Sequence, residues 1–181
     1  MIERLFEIIK APVEFPNMIW VLIPLVVTIL LTEFYFDRYK YEERGWGYSY
    51  GNSMILIFVS LNLLGYMYTN NILAVDIVNT AFSIAVGVMG SLLLIFNFFH
   101  ALPEQLAFGI SSALPVNFLA YMAVILVYSN IIVDYTTVFA SIIFLIMWTV
   151  FIWIVNKIIP SAWSPNLTKE DVPEPDKSKK K

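Results

Sequence analysis

The sequence predicts an all-α integral membrane protein: a bundle of about five transmembrane helices, with four as the alternative, an amino-terminal amphipathic helix at the interface and a disordered carboxyl-terminal tail. Three observations carry this. Of 181 residues, 59% are hydrophobic and only 14% charged, with a mean hydropathy of +0.74, whereas soluble domains run near 25% charged. Five stretches, 15–32, 45–75, 77–103, 105–133 and 135–156, hold no Asp, Glu, Lys or Arg at all. A crossing needs about 20 mostly apolar residues, so each stretch holds one.

Residues 1–15 place Ile2, Leu5, Phe6 and Ile9 at helical spacing among Glu3, Arg4, Glu7 and Lys10. That pattern predicts a short amphipathic helix lying in the interface, stopped by Pro12 and Pro16. Residues 16–159 then form the bundle, with crossings expected at 16–36, 52–69, 73–100, 115–133 and 135–159. The first carries Pro24 as a kink candidate and its pattern extends toward Arg44, with Gly45 as a cap. Gly45 to Gly51 reads as a Gly- and aromatic-rich loop, and Asn70-Asn71 as a turn. Residues 101–114 are apolar but broken by Pro103 and Gly109, an interfacial or re-entrant pattern. Residues 160–181 turn polar and Pro- and Lys-rich, a solvated tail.

Composition excludes whole classes of chemistry. There is no Cys and one His, His100, so disulfides, thiolate nucleophiles, Cys-ligated metal and the two-His zinc-protease motif are out. No Gly-rich phosphate loop occurs, and a net charge of -3 gives no footprint for nucleic acid. No cofactor is expected. The expected partners are membrane lipids and another membrane protein or a second copy of the chain.

Lys and Arg counts set the expected orientation. Arg4 and Lys10 lie on the amino-terminal side of a five-helix topology, against Arg38, Lys40, Arg44, Lys157, Lys169, Lys177, Lys179, Lys180 and Lys181 on the other. Two against nine predicts the amino terminus outside and the tail cytoplasmic. The glycosylation pattern Asn166-Leu-Thr168 then falls on the wrong side to be used.

Polar residues inside crossings are the candidate functional positions, because lipid makes them costly. On a helical wheel with Asp76 at zero, Asn79, Thr80, Ser83, Gly87, Gly90, Ser91 and Asn97 fall within roughly 60°. This face reads either as a small-residue packing ridge or as a polar path with Asp76 at its mouth. Asn62 sits alone near the middle of the second crossing, and its natural partner is that stripe. Glu42, Glu43 and Arg44 together with His100 and Glu104 are weaker candidates for interfacial acid/base chemistry. Glu42-Glu43 with Phe96 and His100 share fragments of the intramembrane prenyl-protease pattern, but Gly47 stands where an Arg is required and the second His is missing.

The leading functional expectation is a non-catalytic accessory or scaffold subunit, or a homo-oligomer, acting through helix-helix contacts. The alternatives are a small transporter or channel using the stripe, with Glu33 and Asp134 near helix ends, and a membrane-interface enzyme acting on lipid.

Overall fold

The computed structural model describes residues 2–38 and 45–158. Among these the regular elements are all helices: α1 (Ile2–Glu14), a 3-10 turn (Pro16–Met18), α2 (Ile19–Arg38), α3 (Trp46–Thr69), α4 (Ile77–Phe98), α5 (Glu104–Ile110), α6 (Ala113–Ser129) and α7 (Tyr135–Ile158). Five segments are long and apolar enough to cross a membrane, namely Pro16–Phe36, Trp46–Thr69, Ile77–Phe98, Glu104–Ser129 and Tyr135–Ile154. That composition fits a multi-pass membrane protein. The continuation of the first helix toward Arg44, the residues Glu42, Glu43 and Arg44, and the tail from 160 lie outside the described residues.

α6 is the central helix. In the most apolar window of Glu104–Ser129, 61% of residues are buried, against 17 to 39% in the other four segments, and from Met122 to Tyr128 every side chain is buried. A helix apolar on all sides belongs in the middle of a bundle. α2, α3 and α4 pack on it, α4 lies along α3, and α7 pairs with α1 and α2.

Three helix ends share one device. Asn71, His100 and Asn130 have φ of 57°, 51° and 50° and follow α3, α4 and α6. In each case the next residue's N–H returns to a carbonyl of the last turn: Ile72 to Met67, Ala101 to Phe96 and Ile131 to Leu126. This closes orphan helix carbonyls without glycine, which Asn tolerates best of the larger residues.

The structure corrects several boundaries. Pro12 does not stop α1, which runs on to Glu14, because a proline near the end of a short helix removes a single bond. Pro24 lies inside an unbroken α2. The expected loop Gly45 to Gly51 is helical from Trp46. Gly47 and Gly51 are exposed while Ser49, Asn52 and Ser53 point inward and are buried, so inward hydrogen bonds outweigh the weak helix propensity of two outward glycines. α4 begins at Ile77, not 73, with residues 72–76 in turns that Asp76 ends as the N-cap. Residues 104–110 are helical and lead into α6 with a break at Ser111 and Ser112. The fourth crossing stops at Ser129 because Asn130 is left-handed.

α1 divides its circumference in three. Ile8 and Ala11 are buried against the bundle, Ile2, Phe6, Ile9 and Val13 are exposed and apolar, and Glu3, Glu7, Lys10 and Glu14 are exposed and charged. Arg4 bonds Glu7 at 2.6 Å and reaches Asp134 at 3.8 Å.

Candidate functional site

The stripe on α4 is turned largely onto α3. The Ser60 hydroxyl donates to the Ser83 carbonyl at 2.7 Å, and the Ser83 hydroxyl to the Asn79 carbonyl at 2.8 Å. A Cβ added at Gly90 would come within 2.7 Å of Leu56 Cβ and 3.1 Å of the Ile57 backbone nitrogen, and one at Gly87 within 2.9 Å of Ser60 Cβ. The two backbones are as close as glycine permits. Among the described residues Ser91 bonds only its own helix, at the Gly87 carbonyl.

At one end of this seam Asp76 caps α4. Its carboxylate accepts from the Asn79 N–H at 3.0 Å and from Asn79 Nδ2 at 2.6 Å. Asn79 Nδ2 also donates to Asn130 Oδ1 at 3.1 Å, tying the start of α4 to the end of α6. Capping is what an Asp before a helix does best.

Asn62 does not face the stripe. Its Oδ1 accepts from the Tyr128 hydroxyl of α6 at 3.2 Å, and Tyr128 stacks on Tyr66 with ring centres 4.0 Å apart. The side chain is exposed and lines a groove of about 320 Å³ between α2 and α3 with Trp20, Pro24, Thr28, Ile55 and Phe58. Expectation failed here because a wheel of one helix cannot say which neighbour lies beside it.

The densest polar assembly surrounds the break between α5 and α6. Ser49, Ser53 and Ser111 are fully buried, Asn97 is 1% exposed and Asn52 6%. Asn97 Nδ2 donates to Ser111 Oγ at 2.8 Å, Ser53 Oγ at 2.9 Å and the Ser49 carbonyl at 3.3 Å. Asn52 Nδ2 donates to the Ser111 carbonyl at 2.9 Å. The Tyr48 hydroxyl accepts from the Ala113 N–H at 3.0 Å. The backbone groups freed where the helix breaks are thus taken up by side chains of α3, with α4 bracing them, the condition under which an apolar interior tolerates a broken helix. Asn97 Oδ1 and Ser49 Oγ have no hydrogen-bond partner among the described residues.

Of this assembly the sequence reading found only Asn97. Ser49, Asn52 and Ser53 recur at i, i+3 and i+4, a one-face signal opposite Gly47 and Gly51 that the loop-like composition of Gly45 to Gly51 masks.

The interfacial acid/base pair is not assembled. His100 and Glu104 are both exposed, and among the described residues no hydrogen bond or ion pair joins them. His100 instead stacks on Trp46, centre to centre 4.2 Å. Among the described residues no group of three His, Asp or Glu could hold a metal ion.

Asp134 begins α7 as a cap. Its Oδ1 accepts from the hydroxyls of Thr136 and Thr137 at 2.7 and 2.8 Å and from the Thr137 N–H at 2.8 Å. The Thr136 hydroxyl first, then those of Thr137, hold its carboxyl well below the usual carboxylate range. A depressed value means the cap stabilises the fold at pH above the ordinary carboxylate range and is lost as pH falls through the lowered one. Melting in detergent is expected to lose a component on acidification that the Asp134→Asn variant, whose carboxamide caps without titrating, does not lose.

Against protein-family models, curated proteins and solved structures, the chain has no match.

Proposed function

We propose that the chain is a non-catalytic membrane component that works through helix-helix contacts, and that its docking face is the outer side of α3 centred on Asn62. The observation that carries this reading is the exposed Asn62 carboxamide. Its oxygen is engaged by Tyr128, while its Nδ2 donates to no partner among the described residues. In a bilayer no water competes for those hydrogens, so a neighbouring helix with an acceptor at the same depth is favoured. Gly65, one turn on, is exposed with nothing within 4 Å of a would-be Cβ. No contact among the described residues explains a glycine there; close approach of another backbone does.

A carboxamide both donates and accepts, so Asn62 is self-complementary across a two-fold axis. The occupant it specifies most economically is a second copy of the chain. The orientation proposed with this reading follows the two-against-nine count of Lys and Arg, amino terminus outside and tail cytoplasmic. A path along the stripe has less support, since Gly87 and Gly90 are closed against α3. An interfacial enzyme has less too, since His100 and Glu104 are not joined.

The absence of Cys makes the test direct. In native membranes, a Leu61→Cys variant is expected to cross-link into dimers. Adding Asn62→Leu is expected to lower the associated fraction about 5-fold, as loss of roughly 1 kcal/mol of interhelical hydrogen bonding implies. Cross-linking that is absent, or indifferent to Asn62, refutes self-association through this face.

A further inference from the structure

The outward side of α3 carries a repeat. Ile55, Phe58, Asn62, Gly65 and Thr69 follow one another in alternating steps of three and four residues, the seven-residue pattern of a helix-helix seam. Phe58, Asn62, Gly65 and Thr69 are exposed and Ile55 is half-buried. The line therefore runs down a side of α3 that the described bundle leaves uncovered. Written as heptads, Ile55, Asn62 and Thr69 take one seam position, and Phe58 and Gly65 the other. The residues α3 buries, among them Leu56, Ser60, Leu63 and Met67, form a separate line spent on α4 and α6. Beside the exposed line runs the groove of about 320 Å³ shared with α2, so a helix laid along it meets a trough instead of a flat wall.

We infer, resting on the self-association proposed above, that this line is the seam of a parallel, two-stranded pairing between α3 and the α3 of a second copy, with Asn62 facing its own counterpart. Two copies inserted the same way pair symmetrically only about an axis normal to the membrane, so equivalent helices run parallel and equivalent residues share one depth. Carboxamide then meets carboxamide. A single Asn in an otherwise apolar seam fixes the register, because only an aligned partner satisfies it, and a β-branched residue such as Ile55 at the same seam position favours two strands. The Asn62 oxygen already accepts from Tyr128, which holds the carboxamide in place before a partner arrives. Gly65, with nothing within 4 Å of a would-be Cβ, lets the two backbones close. A line repeating every seven residues drifts about 20° per heptad around a straight helix. The two helices therefore cross at about 20° in the left-handed sense and stay in contact along the line.

Disulfide trapping of the full chain in native membranes tests the register, one Cys at a time in a sequence that has none. Ile55→Cys, Phe58→Cys and Thr69→Cys are expected to form dimers about 10-fold faster than Ile57→Cys and Leu64→Cys, which lie off the seam. Gly65→Leu is expected to keep the helical content, since it enters open space. In the Phe58→Cys background it should lower the dimer yield about 10-fold by holding the backbones apart. The untrapped particle in mild detergent should have the mass of two chains, and three or more would overturn the two-stranded pairing. Trapping at Leu61→Cys and Thr69→Cys that spares Ile55→Cys would mean a four-residue line and a right-handed crossing. Self-association would then stand and the seam would fall. Dimers at none of these positions, Leu61 included, overturn the self-association together with the seam.

Discussion

Replacing Gly90 with Ala is expected to destabilise the protein by about 2 kcal/mol, the usual cost of forcing one methyl into a packed interface. The new Cβ would meet Leu56 Cβ at 2.7 Å and the Ile57 backbone nitrogen at 3.1 Å. Neither is the free end of a flexible side chain, so only a shift of α4 away from α3 relieves the contact. Such a shift strains the Ser60 to Ser83 bond, adding to the loss. Gly51→Ala is the control, since nothing lies within 4 Å of its added atom, and it should leave stability unchanged or raised. Equilibrium unfolding of the three proteins in one detergent decides it. Equal stability of Gly90→Ala and Gly51→Ala would show that the seam is slack.

Asn97→Leu should cost as much or more, about 2 to 3 kcal/mol, because it leaves buried partners without their hydrogen bonds. Ser53 Oγ, Ser111 Oγ and the Ser49 carbonyl all receive Asn97 Nδ2. The effect is expected to be local before it is global. Ser111 lies in the two-residue link between α5 and α6, so amides of Glu104–Ile110 should exchange faster with deuterium in Asn97→Leu while those of α6 keep their protection. The double variant with Ser111→Ala should fall short of the sum of the singles, since both report on one network. Strict additivity would mean that Asn97 braces the break through packing alone.

How much of this was legible follows from which signals are local. Five charge-free stretches became five helices of spanning length, because hydropathy over some twenty residues is a property of the segment itself. The cap role of Asp76 was not legible, since the helix was expected to begin at 73 and Asp76 to lie inside it. The partner of Asn62 was not, since it depends on α6 lying beside α3. The first turns of α3 were misread for a different reason: glycines and aromatics resemble a loop until one sees that Gly47 and Gly51 share the side opposite Ser49, Asn52 and Ser53. The serine pair at 111 and 112 carries no breaker residue between Gly109 and Pro115. Its break is held by groups far away in sequence, which no window along the chain can reveal.

The threefold division of α1 has a mechanical consequence. A helix with one side on protein, one apolar side free and one charged side can lie at ease only along a boundary between hydrocarbon and water. Because Ile8 and Ala11 anchor it to the bundle and Arg4 points to Asp134 at the head of α7, such a boundary would be fixed relative to the helices of spanning length instead of floating beside them. Any rocking of the bundle would have to lift Phe6 and Val13 into water or sink Glu3 and Glu14 into hydrocarbon. On the proposed reading of the chain as a membrane component, α1 would act as a keel that sets the depth and tilt of the bundle.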